Sequence, residues 1–171
     1  FLVSEAGAKA ERYWRQCFPE APAMTELPGQ RERPAVLDRA GSTRTRVIPS
    51  ALMDRVRACA REQGSSVFRT LLAAFSAVLH RWTGDPELVI GTTFLGRSMA
   101  GAERVVGFLN NVAAVRVVVE PGVTFSNLVR TVHRTVTEAV NHQEYPFSRL
   151  ASGWKGARAP NRIGLTRVSF T

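Results

Sequence analysis

The chain has 171 residues, of which 44% are hydrophobic, so its composition is that of one compact domain and excludes a disordered protein. Its net charge of +9 comes mostly from dispersed arginines without alternating aromatic residues, which argues against nucleic-acid binding. No apolar run approaches the roughly 20 residues that span a bilayer, so we expect no membrane partner.

The chain begins with a helix followed by extended structure. Ser4 is predicted to cap a helix that ends at Pro19, because serine side chains accept hydrogen bonds from free backbone N–H groups. Four prolines within residues 19–34 predict an extended crossing segment, since proline is excluded from helix interiors. The weak alternation of residues 43–48 (TRTRVI) predicts a strand.

Two consecutive helices are predicted next. Ser50 is expected to cap the first of them, and Gly64 to close it. Ser65 or Ser66 is expected to start the second, which Gly84 ends. The apolar residues of the second helix recur at three- and four-residue spacing, which predicts a buried stripe. That stripe comprises Val67, Leu71, Leu72, Phe75, Val78, Leu79 and Trp82.

The second half of the chain alternates strands and one long helix. Residues 87–97 and 104–120 are rich in β-forming side chains and predict two strands. Thr124 is expected to cap an amphipathic helix, and residues 161–171 are expected to form a strand that is cut off at the terminus. Separated strands that alternate with helices predict a mixed α/β layer architecture.

Two cysteines and the first residues indicate the compartment. Cys17 and Cys59 fall within helical patterns, which favours free thiols in a cytoplasmic protein over a disulfide. The opening residues lack an initiating methionine and the pattern of a signal peptide. We therefore expect a segment of a longer, cytoplasmic protein.

Local motifs for chemistry are few. The sequence has no glycine-rich phosphate loop, nucleophile elbow or zinc-ligand spacing. His142 and Glu144, in the segment NHQEYPFSRL, form the one local acid–base pair. A catalytic base also needs an orienting partner and a substrate pocket, which two neighbouring residues do not supply. The pattern therefore favours a structural histidine bonded to the backbone.

Several segments, in order, resemble the C-terminal half of nonribosomal peptide synthetase condensation domains. The similarity begins with AERYW and LPGQRERP, which resemble the family's connection into its second lobe. It continues through GTTFLGR (91–97), VGFLNNVAAVR (106–116), NHQEYPFSRL (141–150) and, weakly, APNRIGLTRV (159–168).

The resemblance implies an α/β, chloramphenicol-acetyltransferase-like lobe in which helices pack against a mixed β-sheet. It implies that residues 1–34 form a connecting helix and proline-rich crossing segment. Residues 35–171 would form the C-terminal lobe, truncated relative to a full two-lobe domain and incomplete at its C-terminal end.

The implied function is amide-bond formation between an acyl or peptidyl thioester and an aminoacyl thioester. Both substrates would arrive on phosphopantetheine arms of carrier proteins, so no cofactor is expected to bind this chain directly. The family's His-His-x-x-x-Asp-Gly motif is absent from the sequence. We therefore expect this chain to supply one wall of the channel, without a catalytic residue, and to be inactive alone.

The resemblance also implies partners, and it leaves one alternative function. The expected partners are the N-terminal lobe, acyl and peptidyl carrier proteins, adjacent synthetase domains and, through an exposed lobe face, a second copy of the chain. The alternative function is a non-catalytic or degenerate module that docks carrier proteins.

Three residues are carried over to the substrate channel. Asn111 either contacts an amine or carbonyl of the substrate or bonds to backbone at the end of a strand. Gly107 is expected to serve a turn or a close backbone approach. Arg97 and Arg116 either line the channel or pair with carboxylates between strands, and we favour the pairing for both.

The other residues singled out are expected to have structural roles or to form a docking surface. The motif residues with an expected structural role are Arg116, His142, Gln143, Tyr145, Pro146 and Phe147. Arg130 and Arg134 lie four residues apart on the outward helix face, where they form either a carrier docking surface or a solvated face.

The sequence departs from the family pattern at three places. The motif's Val-Asn-Thr reads Asn110-Asn111-Val112, so the asparagine is kept while its two neighbours differ; Ser148 replaces a glutamate, and Gly164 replaces a proline. These changes leave open a weakened or specialised domain. An epimerization domain shares the fold, but its counterpart of residues 106–111 usually departs further from the condensation motif.

Overall fold

The computed structural model describes residues 1–23, 25–29, 40–97, 101–154 and 166–171. Within these ranges the chain forms five α-helices, three β-strands and a short 3-10 turn at Ala102–Arg104. The helices are α1 (Glu5–Cys17), α2 (Ser50–Glu62), α3 (Val67–Thr83), α4 (Phe125–Asn141) and α5 (Phe147–Ser152). The strands are β1 (Glu87–Phe94), β2 (Asn111–Val118) and β3 (Val168–Ser169).

The three strands form a mixed sheet in the order β2-β1-β3. β1 pairs antiparallel with β2 along its whole length and parallel with β3. Gly91 in β1 allows the close approach of the last segment, because a Cβ there would lie 2.2 Å from Oγ1 of Thr166 and would force that side chain to move. The predicted mixed sheet is therefore confirmed, with β1 at its centre.

Both faces of this sheet are covered by helices. On one face, α3 and α4 bury a cluster that includes Leu72, Ile90 and Val129. On the other face, α1 and α5 bury a second cluster around Trp14 and Phe147. Burial on both faces explains why β1 is buried almost continuously from Leu88 to Phe94 and does not alternate between buried and exposed residues. The α/β layer architecture expected from the sequence is confirmed.

Most of the predicted helix boundaries are confirmed. The side chains of Ser4, Ser66 and Thr124 each accept a hydrogen bond from the backbone N–H three residues further on. Gly84 ends α3 in the left-handed conformation, with φ of +78°. Ser50 was wrongly expected as a cap, because Pro49 precedes α2 at that position and Ser50 is its first residue.

Two predictions from periodicity are wrong. Residues 43–48 form no strand, since Val47 is 90% exposed and no strand among the described residues pairs with them. In α3, Val78 and Trp82 are exposed, whereas Ala73 and Ser76 are buried. Ser76 is tolerated there because its hydroxyl donates to the carbonyl of Leu72 at 2.8 Å.

Other expectations fall partly outside the described residues. Residues 19–23 and 25–29 form neither helix nor strand, as the prolines predict, and β3 confirms a terminal strand. The boundary between residues 34 and 35 lies outside the described residues, as do Gly164 and most of segment 159–168.

Both cysteines are free thiols. Among the described residues, no helix has the length and hydropathy needed to cross a membrane.

Trp14 and Trp82 provide a matched test of the second cluster. Trp14 is 1% exposed and packs edge-on against Phe147, whereas Trp82 is 60% exposed. We expect Trp14→Ala to lower the free energy of unfolding by about 3–5 kcal/mol, the usual cost of truncating a buried aromatic residue. Trp82→Ala should cost far less. Urea unfolding of the chain measures both, and equal losses would contradict the assigned core.

Candidate functional site

His142 is engaged by packing and by backbone hydrogen bonds. Its Nδ1 donates to the carbonyl of Glu138 at 2.8 Å, and its ring stacks on Tyr13 with centroids 4.1 Å apart. Its own carbonyl accepts a hydrogen bond from Nε1 of Trp14 at 2.9 Å. His142 therefore joins the end of α4 to α1, and these contacts are those of a structural residue.

Glu144 lies beside His142 in a separate depression. Both residues line a space of about 380 Å³ against α1, together with Lys9 and Glu138. The backbone carbonyl of Glu138 accepts the hydrogen bond from the His142 ring, and the face of the ring stacks on Tyr13. The depression is distinct from the larger groove described below.

Asn111 connects the start of β2 to the segment between α4 and α5. Its Nδ2 donates to the carbonyls of Gln143 and Tyr145, each at 2.7 Å. Its Oδ1 accepts from the backbone N–H of Phe147 at 3.4 Å. The side chain is half-buried and its hydrogen bonds are all to backbone, so the geometry fits the strand-end alternative more closely than a substrate contact.

Tyr145, Pro146 and Phe147 direct the chain into α5. Tyr145 is buried, Pro146 stands at the N-cap position of α5, and Phe147 is fully buried. The Phe147 ring packs edge-on against Trp14 and Phe18, with centroids 5.2 and 5.5 Å away. Such T-shaped pairs are favourable beyond the apolar area that they bury. The three residues fix the course of the chain beside the groove.

Arg97 organises the connection between β1 and β2. Its Nη1 donates to the carbonyls of Ala102 at 2.6 Å and Val105 at 2.9 Å, and its Nη2 reaches that of Gly107 at 3.4 Å. Arg97 therefore binds backbone oxygens, whereas the sequence pattern favoured a carboxylate partner. Multiple charge-assisted bonds of this kind order a loop.

Gly107 does not provide the close backbone approach expected of it. A Cβ at Gly107 would have no atom within 4 Å, and its φ is outside the left-handed region. The constraint lies at Gly96, where φ is +63° and a Cβ would lie 2.0 Å from the carbonyl oxygen of Leu109. The sterically required glycine is therefore Gly96 in the motif GTTFLGR, and the residue that approaches it is Leu109 in VGFLNN.

Arg116 pairs with a carboxylate across the sheet, as favoured from the sequence. Its Nη2 lies 2.6 Å from Oε2 of Glu87 on the neighbouring strand. The hydrogen bond with Arg116 lowers the pKa of Glu87, and the same bond raises the pKa of Arg116. Both side chains are almost half exposed, so this pair contributes little to stability.

Neither Cys17 nor Tyr13 is poised as a nucleophile or base. Burial raises the pKa of the Cys17 thiol, and the hydrogen bond from Tyr13 and the charge of Arg116 only partly offset it. Burial also raises the pKa of Tyr13. Both groups are therefore neutral near pH 7. Within the described ranges, no cluster of His, Cys, Asp and Glu side chains is arranged to hold a metal ion.

A groove of about 570 Å³ lies where β1, α3, α4 and the segment after α4 meet. Its apolar lining includes Phe94, Val136 and Val140. Its polar lining consists of Ser66, Arg69, Thr92, Thr93, Arg97 and Gln143. The volume and the mixture of apolar and polar groups are typical of sites for small ligands.

Two polar groups of this groove have spare hydrogen-bonding capacity. Nη1 of Arg69 lies 3.5 Å from Nδ1 of His133, and no carboxylate among the described residues pairs with Arg69. Gln143 is bonded through its backbone, and no described residue bonds to its side-chain amide. Arg69 lies outside the motif segments that resemble the family, so nothing in the sequence marked it as a groove residue.

Thr25 was also missed from the sequence. It is buried within the proline-rich segment, and its Oγ1 accepts the backbone N–H of Val89 at 3.1 Å. This bond fastens the crossing segment to β1. A polar residue between prolines gives no sign in the sequence of a partner 64 residues away.

Arg130 and Arg134 lie on the exposed face of α4, as predicted. Arg130 bonds to the side-chain oxygen of Asn127. Within the described part of the chain, neither arginine forms an ion pair with a carboxylate. Both cations therefore remain available to an acidic partner.

A family model and similar known proteins all point to one family. A family model described as Condensation domain matches residues 1–171. The chain is 37% identical over 158 residues to phosphinothricin tripeptide synthetase PhsC of Streptomyces viridochromogenes, covering 92% of this chain and 14% of that protein. It is 32% identical over 171 residues to tyrocidine synthase 3 of Brevibacillus parabrevis, covering 100% of this chain and 3% of that one.

Solved structures show the same fold. The first condensation domain of the CDA synthetase matches with a TM-score of 0.80 and 26% identity, over 91% of this chain and 34% of that one. The X-domain from teicoplanin biosynthesis matches with a TM-score of 0.86 over 98% of this chain and 37% of that one. At 24% identity, the X-domain supports the fold alone. It has also been solved as a complex with OxyB.

Proposed function

The chain belongs to the condensation domain family of nonribosomal peptide synthetases, and we propose that it supplies the C-terminal wall of an amide-forming channel. One observation carries the proposal. Segments 91–97 and 141–150 both line the groove of about 570 Å³, and segment 106–116 is hydrogen-bonded to each of them through Gly107 and Asn111. Convergence of separate segments on one cavity is the usual organisation of a binding site.

The proposed reaction is aminolysis of a thioester. The amine nitrogen of the aminoacyl substrate attacks the carbonyl carbon of the acyl or peptidyl thioester, and a C–N bond forms as the C–S bond breaks. The proton lost by the amine ends on the departing thiol of the phosphopantetheine arm. Alignment of the two carrier-bound substrates supplies effective molarities of about 10⁵ M or more, so a wall that positions them contributes to the rate without titrating.

No described residue of the groove is an acid–base group suited to this proton transfer. His142 is bonded to backbone and stacked on Tyr13, and Cys17 lies outside the groove as a neutral thiol. The sequence contains no adjacent histidines. We therefore assign proton transfer to the N-terminal lobe, residues 1–34 to the connection between lobes, and residues 35–171 to the C-terminal lobe.

An exposed apolar surface supports the N-terminal lobe as a partner. Val106 and Phe108, between β1 and β2, are 100% and 85% exposed, and Leu95, which follows β1, is also exposed. Large apolar side chains exposed to this degree within one connection are typical of a contact surface. The chain spans 34% of the CDA condensation domain, so a complete domain has further residues to cover this surface. When those further residues are absent, we expect a second copy of the chain to cover this surface.

A non-catalytic module is the alternative function. The fold match with the X-domain, which forms a complex with OxyB, favours it, because that structure shows this architecture engaged with a protein partner. The parent polypeptide is the longer protein of which we propose this chain is a part. The two functions differ in whether the parent polypeptide forms the amide product. Fold similarity alone does not assign an activity.

An assay of the intact parent polypeptide separates the two functions. We expect the parent, supplied with a peptidyl-loaded donor carrier and an aminoacyl-loaded acceptor carrier, to release a new amide that mass spectrometry detects. The parent with both histidines of an upstream His-His-x-x-x-Asp-Gly motif changed to alanine is the control. Carrier binding without product in the unaltered parent would support the docking module instead.

Arg130 and Arg134 are proposed as a docking surface for the acceptor carrier. Carrier proteins of this family are typically acidic, and they bear the phosphate of the pantetheine arm. Two guanidinium groups four residues apart on α4, neither paired with a described carboxylate, complement such a partner. The surface lies on the solvent side of the helix, opposite the residues that α4 buries.

Charge reversal tests this docking surface. In the parent polypeptide we expect Arg130→Glu with Arg134→Glu to raise the Kd for the acceptor carrier about tenfold or more at low salt, because attraction becomes repulsion. Arg57→Glu with Arg61→Glu on α2 is the matched control and should have little effect. Fluorescence anisotropy with labelled carrier measures both pairs. An unchanged Kd for the α4 pair would exclude this surface.

A further inference from the structure

Gln143 and Asn111 have separable roles at the groove. We propose that Gln143 contacts the peptide group of a peptidyl thioester, and that Asn111 is a positioning residue that acts through Gln143. The inference rests on the proposed function, which it deepens by naming the substrate contact. It differs from the motif-based assignment, in which Asn111 lines the channel and Gln143 is structural.

Asn111 has no donor left for a substrate. Both hydrogens of its amide are directed to backbone carbonyls at 2.7 Å, and its oxygen accepts the N–H of Phe147. A primary amide has two donors and one acceptor oxygen, so only one lone pair remains unused. Substrate binding through this side chain would require breaking bonds that order the segment after α4.

Gln143 is held by hydrogen bonds between its backbone and described residues, whereas its side-chain amide forms none with them. Its carbonyl accepts from Asn111, and its N–H donates to the carbonyl of Val140 at 3.2 Å, so its backbone is fixed at both polar groups. Gln143 lines the groove and is half-buried as a residue, and its side-chain amide has no hydrogen-bond partner among the described residues. A partly desolvated amide without a partner gains most from a ligand that supplies one.

The groove fits a peptide chain better than a plain acyl chain. A peptide group presents one N–H and one C=O, and the glutamine amide offers an acceptor and donors to match them. Phe94, Val136 and Val140 provide apolar lining for the substrate's side chains. A plain acyl group would use that lining but would leave the amide of Gln143 unpaired, which is the basis for discrimination.

Gln143→Leu in the parent polypeptide tests the substrate contact, because leucine keeps approximate size and removes both hydrogen-bonding groups. We expect kcat/KM for a dipeptidyl donor thioester to fall about tenfold, with that for a plain acyl donor of equal length nearly unchanged. An equal fall for both donors would overturn the proposal and assign Gln143 to the pantetheine arm, which the donors share. No fall for either would overturn it as well.

Asn111→Ala tests the positioning role, with Asn110→Ala at the exposed neighbouring position as the control. We expect Asn111→Ala to lower the ratio of dipeptidyl to acyl kcat/KM as Gln143→Leu does, and the double variant to add no further loss to this ratio. Additive losses would overturn the coupling. If Asn111→Ala fails to fold, Gln143→Leu still decides the substrate contact. An unaltered parent that joins neither donor would instead overturn the proposed function itself.

Discussion

The side-chain amide of Asn111 makes the contact on which the arrangement of the groove depends. It joins the first residue of β2 to the carbonyls of Gln143 and Tyr145 and to the N–H of Phe147. Among the described residues, no strand pairs with the chain between α4 and α5, so this side chain satisfies backbone groups that strands or helices would otherwise pair. The turn after α4 is thereby held against the sheet.

The two buried faces of the sheet explain why the groove forms at this place. α4 packs on one face and α5 on the other, so the chain that joins them must pass the end of the sheet near Phe94 and Asn111. Trp14 and Tyr13 of α1 fix the same crossing through His142. A histidine that resembles an acid–base group in the sequence is consequently part of the packing.

Features determined by neighbouring residues, such as helix caps, could be predicted from the sequence. Contacts between residues far apart in the chain could not. Capping by Ser66 and Thr124 follows from residues three positions apart, and it was predicted. The bonds of Asn111 join residues more than 30 positions apart, so the sequence left two alternatives for that side chain. The buried face of α3 depends on how closely its neighbours approach, and periodicity therefore misplaced Val78 and Trp82. The motif resemblance supplied the family, which no local pattern would have given.

We propose that this chain shapes a reaction channel and that another part of the polypeptide moves the proton. Single-turnover amide formation tests it most directly, with purified residues 1–171 mixed with peptidyl-loaded and aminoacyl-loaded carriers and compared with carriers alone. We expect the same slow background rate in both mixtures at every pH from about 6 to 9, roughly the range over which imidazole and thiol groups titrate. A rate with the chain well above that of carriers alone would contradict it, because the chain would then contain the complete catalytic machinery.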